Sequence, residues 1–311
     1  MILCNGVFEG GGVRGIGHVG AACRLEEAGY RFADLAGSSA GAIVAALLAA
    51  GYSCSELTGE MSSLDYMKFR GKGIADRFGA VGKAVSILFT LGIYHTGYLE
   101  KWLQELLEKK GMSRFGDLKK TGRTLKVTAS DLTARKLLIF PDCLPEFGLE
   151  ADSFPIARAV RMSVSIPVYF EPVRLREQSG KVHLIVDGGL LSNYPVWLFD
   201  GSEKRDGRHT LGFRFADQKE GTCGGACAED NFAEYLKAIA ATCLSAADKS
   251  HIPDSDLERT IRIPTGIRTE QGIRTISAVD FGIGRKESLK LFENGRAAAG
   301  LFLKRKGGKS A

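Results

Sequence analysis

The sequence predicts an α/β fold in three layers, with helices on both faces of a mainly parallel central sheet. Near the amino end, apolar runs typical of strands at residues 2–8 and 32–36 alternate with helix-like runs at residues 15–28 and 41–50. Consecutive strands that are separated by helices are joined by crossover connections, and such connections favour parallel pairing. Short apolar runs continue this strand pattern along the rest of the chain.

The later elements follow from apolar periodicity and from the glycines that interrupt it. Strands are predicted at residues 125–129, 136–140, 182–186, 211–215 and 259–263. Helices are predicted at residues 98–109, 156–163, 232–247 and 285–303. Residues 130–135 join two strands as a hairpin turn. The irregular stretches at 65–82, 202–208 and 216–229 are rich in glycine and charge and are interpreted as surface insertions. None of them has the composition of a linker, so we expect a single domain over residues 1–311.

The composition is that of an ordinary globular protein with a full core. Of the 311 residues, 44% are hydrophobic, which is enough for one large domain. The net charge of +6 arises from positive and negative side chains that are mixed along the chain. No basic stripe is interleaved with aromatic residues, so no nucleic-acid interface is predicted.

The cysteines and the first residues of the chain indicate the cellular compartment in which the protein is expected. The seven cysteines are odd in number and spread singly, which argues against a disulfide framework and favours a reducing compartment. Cys223 and Cys227 lack a second ligand cluster nearby, so we expect no metal. The first residues lack a signal-peptide pattern. We therefore expect a cytoplasmic protein, with peripheral membrane contact or delivery by a route without a signal peptide.

An apolar segment is expected to form a flap within an insertion around residues 65–97. Residues 80–97 are amphiphilic and carry one lysine and one histidine. This pattern suits a helix that covers the sheet. The alternative is a mobile flap over an active site that meets lipid, as interfacial amphipathic segments do.

The stretch Gly37-Ser38-Ser39-Ala40-Gly41 lies where a predicted strand runs into an alanine-rich helix. It has the G-x-S-x-G spacing of a nucleophile elbow, in which a sharp turn exposes the central hydroxyl and the flanking glycines avoid steric clashes. Ser39 is therefore the candidate nucleophile. Five small residues at such a junction also occur for packing reasons, and the pentapeptide alone leaves both interpretations open.

A glycine-rich loop precedes this serine at the end of the first predicted strand. Gly10, Gly11, Gly12, Val13, Arg14 and Gly15 leave several backbone amides free to converge on an anion. One use of such a loop is an oxyanion hole. Another is a dinucleotide-binding turn, because Gly10, Gly12 and Gly15 also satisfy G-x-G-x-x-G. Asp34 has nearly the spacing of the ribose-binding acid, but its apolar run continues past it, which disfavours the dinucleotide interpretation.

The base that would activate Ser39 has two possible sources. Of the five histidines, His209 and His251 fit the chain order of a Ser, Asp, His triad, although neither lies in a motif. Asp187 follows the predicted strand at 182–186 and precedes Gly188 and Gly189. The carboxyl end of a strand is where sheet enzymes collect their site residues.

Taken in order, the glycine loop, the elbow and Asp187-Gly188-Gly189 resemble the patatin-like phospholipase family of lipid acyl hydrolases. A fourth block of the family, built on a serine and a proline, is similar to residues 161–167, with Phe170 and Pro172 beyond it. The family more often has alanine where Met162 stands. The final helix with Gly295 is also similar.

This resemblance implies an α/β/α sandwich and a Ser-Asp dyad without a catalytic histidine. Ser39 would attack an ester carbonyl, and Asp187 would act as general base and later activate water, a role that requires a partly desolvated carboxylate. The loop of Gly10, Gly11, Gly12, Val13, Arg14 and Gly15 would form the oxyanion hole, supported by Gly37, Gly41, Gly188 and Gly189. The implied substrates are phospholipids or lysophospholipids met at a membrane surface, with no cofactor.

Overall fold

The computed structural model describes residues 1–64, 67–68, 90–201, 207–216, 242, 253–270 and 272–307. The strands are β1 (Ile2–Phe8), β2 (Tyr30–Ser38), β3 (Gly92–Tyr94), β4 (Thr124–Asp131), β5 (Lys136–Phe140), β6 (Val168–Phe170), β7 (Val173–Arg176), β8 (Val182–Asp187), β9 (His209–Ala216), β10 (Thr260–Pro264), β11 (Gly266–Thr269) and β12 (Gly272–Thr275). The helices are α1 (Ile16–Glu27), α2 (Ala40–Ala49), α3 (Cys54–Ser62), α4 (Gly97–Lys109), α5 (Phe115–Lys120), α6 (Ile156–Ser163), α7 (Asp254–Glu258) and α8 (Arg285–Gly307). The helix predicted at 232–247, His251 and most of the flap expected around 65–97 lie outside the described residues.

The central sheet is mixed and mostly parallel, which confirms the predicted fold class. Strands β10, β9, β1, β2 and β4 lie side by side in that order, and all four neighbouring pairs are parallel. Beyond them, β5 and β8 pair antiparallel with β4, and β7 pairs antiparallel with β8. The turn predicted at 130–135 is the hairpin that joins β4 to β5.

Two strands share one edge of β4, and this arrangement positions the site. Ser38, the last residue of β2, pairs with Thr128, whereas Asp187, the last residue of β8, pairs with Ala129. Strand β5 occupies the opposite edge along residues 127–131. Because β2 runs parallel to β4 and β8 runs antiparallel to it, the carboxyl ends of β2 and β8 meet at adjacent positions of the same strand.

Helices and a short 3-10 turn cover the two faces of the sheet. Every residue of α2 is buried, as expected for the uncharged run that follows the elbow. Helix α8 packs along α1 and is tied to it by an ion pair between Arg296 and Glu27. On the other face, a 3-10 turn at Val196–Phe199 packs against Val7 and Ala36. Of the described helices, none is both long and apolar enough to cross a membrane.

The expectation about the cysteines requires a correction. Cys23 in α1 and Cys54 at the start of α3 form a disulfide, with their Cα atoms 5.3 Å apart. The two positions are 31 residues apart in sequence and come together because α3 packs against α1. An odd, dispersed set of cysteines gives no local sign of such a pair.

Element boundaries also differ from those predicted. Strand β2 begins two residues earlier and ends two residues later than the predicted run, so it reaches Ser38 directly before the candidate nucleophile. The first helix, predicted at residues 15–28, is α1 from Ile16 to Glu27, and a 3-10 turn at Gly12–Gly15 directly precedes it. The hairpin β11–β12 and the short pair β3–β6 have no counterpart among the predicted elements.

Candidate active site

Ser39 lies on a strained turn between β2 and α2. Its backbone has φ +50° and ψ −125°, a conformation that residues other than glycine rarely adopt. A Cβ atom on Gly37 would lie 2.4 Å from the carbonyl carbon of Gly41, so only glycine permits the turn to close this tightly. This is the backbone geometry that the G-x-S-x-G pattern predicts.

The hydroxyl of Ser39 donates a hydrogen bond of 2.6 Å to Oδ2 of Asp187. Both residues are buried, with 6% and 1% of their surface exposed. The second carboxylate oxygen, Oδ1, accepts a hydrogen bond of 2.7 Å from the amide of Gly189. Gly188 packs so closely against β4 that a Cβ atom would lie 2.4 Å from the carbonyl oxygen of Thr128. The carboxylate is therefore held in one orientation that faces Ser39.

The serine and proline block at 161–167 braces both members of this pair. The backbone amide of Ser39 donates to Oγ of Ser163 at 2.8 Å, and the amide of Asp187 donates to the carbonyl oxygen of Ser165 at 2.9 Å. Both serines are fully buried at the end of α6. The resemblance singled out this block but gave it no role. Its contacts show that it fixes the backbone of the Ser39–Asp187 pair.

The glycine loop lies next to Ser39, and several of its amides already have acceptors. The amide of Gly10 donates to the carbonyl of Asn193, that of Val13 to the carbonyl of Ala278, and that of Arg14 to the carbonyl of Gly11. Val13, which was expected among the oxyanion donors, is therefore engaged elsewhere. Among the described residues, the amides of Gly11 and Gly12 have no acceptor.

Gly12 and Arg14 determine the shape of this loop. Gly12 has φ +55°, and a Cβ atom there would lie 1.9 Å from the carbonyl oxygen of Ala278. The Arg14 side chain donates from Nε to the carbonyl oxygen of Gly11 at 3.1 Å, and its guanidinium lies 4.8 Å from the ring centre of Phe215. Arg14 is buried, so it braces the loop from inside the protein.

A pocket with an empty volume of about 430 Å³, including space open to solvent, adjoins Ser39. Most of the residues around it are apolar. Its lining consists of Gly12, Val13, Ser39, Ala40, Ile43, Thr96, Leu99, Val164, Ile166, Phe170 and Phe281. The polar side chain of Thr96 accepts a hydrogen bond from Nε of Arg161, so its hydroxyl is occupied. Ser39 therefore borders a mainly apolar pocket.

His18, His183 and His209 lie in other environments. Nε2 of His18 donates to the carbonyl of Glu9 at 2.8 Å, and burial lowers the pKa of this ring to about 3. His183 is bonded to Asp131 and Glu177. His209 is the first residue of β9, whereas Ser39 follows the last residue of β2. Because β9, β1 and β2 are parallel, His209 lies at the amino end of these strands, whereas Ser39 lies at their carboxyl end.

Asp34 does not fit the acid of a dinucleotide site. It lies within β2, four residues before the end of the strand, and its carboxylate pairs with Arg208 at 3.0 Å. The ribose-binding acid of such sites stands at the end of its strand. In the described part of the chain, no group of three or more His, Cys, Asp or Glu side chains is arranged to hold a metal ion.

The fold and the site define a class of α/β proteins in which a buried serine on a strand-to-helix turn faces an aspartate beside a glycine loop. Within this class, the chain belongs to the patatin-like phospholipase family, whose sequence model matches residues 6–200. The resemblance inferred from the motifs is confirmed.

Two relatives illustrate the range of sequence similarity. The uncharacterized protein YqhO of Bacillus subtilis (strain 168) is 38% identical over 300 residues, which cover 96% of this chain and 98% of the relative. The protein named "Probable lipid hydrolase 463L" of Invertebrate iridescent virus 6 is 25% identical over 195 residues, or 61% of each chain.

Two solved structures share the fold. VipD from Legionella pneumophila aligns with a TM-score of 0.54 at 19% identity, over 97% of this chain and 67% of VipD. The type III effector ExoU of Pseudomonas aeruginosa aligns with a TM-score of 0.52 at 16% identity, over 98% of this chain and 53% of ExoU. The chain thus spans about half the length of ExoU.

Proposed function

We propose that this protein is a lipid acyl hydrolase that cleaves carboxylic ester bonds of phospholipids or lysophospholipids through a Ser39–Asp187 dyad. The observation that carries the proposal is the 2.6 Å hydrogen bond between the buried Ser39 hydroxyl and the Asp187 carboxylate, at the edge of an apolar pocket. Membership in the patatin-like phospholipase family and the relative named as a lipid hydrolase support lipid hydrolysis in general terms.

In the first half of the reaction, Oγ of Ser39 attacks the ester carbonyl carbon and its proton moves to Oδ2 of Asp187. The carbonyl oxygen becomes an oxyanion, which the amides of Gly11 and Gly12 would stabilise. When this intermediate collapses, the bond to the alcohol oxygen breaks. Asp187 returns the proton to the leaving alkoxide, and an acyl-enzyme remains on Ser39.

In the second half, a water molecule replaces the released alcohol. Asp187 accepts a proton from the water as its oxygen attacks the acyl carbon, and the same amides hold the second oxyanion. The bond to Oγ of Ser39 then breaks, and Oγ recovers a proton from Asp187. The products are a free fatty acid and the original enzyme, so the sequence of steps is a net hydrolysis.

The contacts of the site prepare it for these steps. Gly189 and Ser39 fix both oxygens of Asp187, and Ser163 and Ser165 fix the backbones of the pair. Preorganised groups of this kind need no reorganisation during the reaction. The apolar pocket would hold the acyl chain, since burial of each methylene contributes about 0.8 kcal/mol.

We further propose that the substrate is met at a membrane surface. Leu91, Tyr98 and Leu191 are large apolar residues with 45%, 41% and 50% of their surface exposed. Leu91 directly precedes β3, Tyr98 is next to the pocket residue Leu99, and Leu191 follows the turn after Asp187. Exposed apolar side chains that are close in sequence to the residues of a site are suited to contact with lipid.

Labelling with a fluorophosphonate probe tests the dyad. We expect stoichiometric modification of Ser39, located by peptide mass spectrometry, and none in Ser39→Ala. The matched control is Ser38→Ala, because the buried hydroxyl of Ser38 has no hydrogen-bond partner among the described residues. This variant should label like the intact protein, whereas Asp187→Asn should label at least 100-fold more slowly.

Hydrolysis assays on phospholipids, lysophospholipids and triglycerides complete the test. An intact protein that neither labels nor releases fatty acid would contradict the proposal. Separate replacement of each histidine by asparagine should leave hydrolysis largely intact. Loss of activity with an intact fold at one histidine, for example in His251→Asn, would replace the dyad with a triad.

A further inference from the structure

A loop far from the sequence motifs forms part of the active site. Residues 276–283, here called the 276–283 loop, connect the hairpin β11–β12 to α8 and lie beyond residues 6–200, which the family model matches. The carbonyl of Ala278 accepts the amide hydrogen of Val13 at 3.0 Å, and Phe281 lines the pocket that contains Ser39. The loop thus touches both the glycine loop and the pocket.

The 276–283 loop is anchored at both ends and near its centre. The amide of Ile276 donates to the carbonyl of Thr265 at 3.1 Å, and the side chains of Ile276 and Ile283 are buried. Between them, Asp280 forms an ion pair with Arg274 of β12, which also pairs with Glu287 of α8. The position of the loop is therefore defined relative to the hairpin and to the final helix.

Phe281 forms a wall of the pocket together with other aromatic rings. Its ring centre lies 5.9 Å from that of Phe170 in an edge-to-face arrangement and 5.8 Å from that of Tyr169. Only 5% of Phe281 is exposed. Phe170 also lines the pocket and belongs to β6, which pairs with β3. A large rigid side chain at this position limits the space available to an alkyl chain that extends from Ser39.

We propose that Phe281 sets the length of acyl chain that the pocket accepts, and that Ala278 holds the glycine loop in the conformation that leaves the Gly11 and Gly12 amides free. This inference rests on the proposed function and deepens it. Shortening the side chain extends the pocket in which methylenes are buried, and enlarging it removes part of that space. A change at Phe281 should therefore alter the ratio of kcat/KM between long-chain and short-chain esters, and should not change both rates by the same factor.

The test compares kcat/KM for p-nitrophenyl butyrate, octanoate and dodecanoate. In Phe281→Ala, we expect the dodecanoate to butyrate ratio to rise about tenfold, and in Phe281→Trp to fall about tenfold. The control is Phe302→Ala, which truncates an equally buried phenylalanine of α8 that does not line the pocket. Its ratio should equal that of the intact protein even if its stability falls.

Rates of Ser39 modification by butyl and dodecyl fluorophosphonates give the same ratio without turnover. Unchanged ratios in the Phe281 variants, or a shift of equal size in Phe302→Ala, would overturn the inference. If Phe281→Ala does not fold, the ratio measured for Phe281→Trp alone tests the inference. An intact protein that is neither modified at Ser39 nor hydrolytic would instead refute the proposed function, and the inference with it.

Discussion

Two regions that are built in different ways meet at the pocket. On one side, Ser39, Asp187 and Ser163 lie at the ends of β2, β8 and α6, and at most 6% of each is exposed. The positions of Ser39 and Asp187 follow from backbone pairing along β4. On the other side, the 276–283 loop contacts the glycine loop through one backbone hydrogen bond, and its tether Arg274 is 46% exposed.

Under the proposed function, the sheet region carries out the chemistry and the 276–283 loop contributes to the selection of substrate. Strand register fixes the backbone positions of Ser39 and Asp187 and is costly to change, because a shift would disturb many buried hydrogen bonds. A loop that carries one side chain of the pocket wall can change with little cost to the fold. The proposed dyad lies within the residues that the family model matches, whereas the wall residue Phe281 lies outside them.

The largest effect is expected at the contact between the two regions, in Gly12→Ala. A Cβ atom at this position would meet the Ala278 carbonyl at 1.9 Å on a backbone with φ +55°. The loop must then move, and the amides of Gly11 and Gly12 move with it. We expect kcat for p-nitrophenyl butyrate to fall about 100- to 1000-fold, the usual result of losing an oxyanion donor.

Gly59→Ala in α3 is the matched control. A Cβ atom there has no neighbour within 4 Å, and helix propensity favours alanine. This variant should keep its rate and its melting temperature, or gain slightly in stability. If Gly12→Ala folds and retains a rate within threefold of the intact protein, the glycine loop does not hold the oxyanion.

A smaller effect is expected within the sheet region, in Ser163→Ala. The Ser39 amide would lose the one acceptor that it has among the described residues, in a fully buried position, which costs about 1–3 kcal/mol. We expect kcat to fall about tenfold and the melting temperature to fall as well, as measured by steady-state kinetics and thermal unfolding.

The control for this variant is Ser130→Ala, since the buried hydroxyl of Ser130 has no partner in the described part of the chain. It removes the same atom from β4 without breaking a hydrogen bond, so both quantities should stay near their original values. Equal losses in the two variants would show that Ser163 contributes packing alone.

Local patterns were sufficient to predict the fold class and the strand ends at which Ser39 and Asp187 lie. The elbow depends on glycines two residues either side of Ser39, and Asp187 directly ends an apolar strand. Both signals lie within a few residues of the side chain that they identify. The steric requirements of a tight turn and of a buried strand act over a few residues. They can therefore be recognised in the local sequence.

The supporting contacts depend on residues that are distant in sequence. Ser163 is 124 positions from Ser39 in sequence. Ala278 is separated by an even longer stretch of sequence from Val13, whose amide hydrogen it accepts. The Cys23–Cys54 disulfide likewise depends on how two helices pack. Ala278 acts through its backbone carbonyl, so no residue type marks it. Such contacts become visible only when the topology is known.

The smallest effect is expected where the 276–283 loop is tethered. The tetrapeptide Gly-Ile-Arg-Thr occurs twice, as β11 and as β12. Arg274 of the second copy pairs with Asp280 and Glu287, whereas Arg268 of the first copy has no ion pair among the described residues. Arg274→Ala should change the dodecanoate to butyrate ratio of kcat/KM two- to threefold, because a partly exposed ion pair contributes about 0.2–1 kcal/mol.

Arg268→Ala supplies the control, since it removes the same side chain at the equivalent position of the hairpin and should leave the ratio unchanged. High salt should reduce the difference between the intact protein and Arg274→Ala, because it screens an exposed pair. A change in overall rate with a constant ratio would mean that the tether stabilises the fold without positioning Phe281. A change in the dodecanoate to butyrate ratio without a change in overall rate would show that the 276–283 loop selects the substrate and that the sheet region determines the rate.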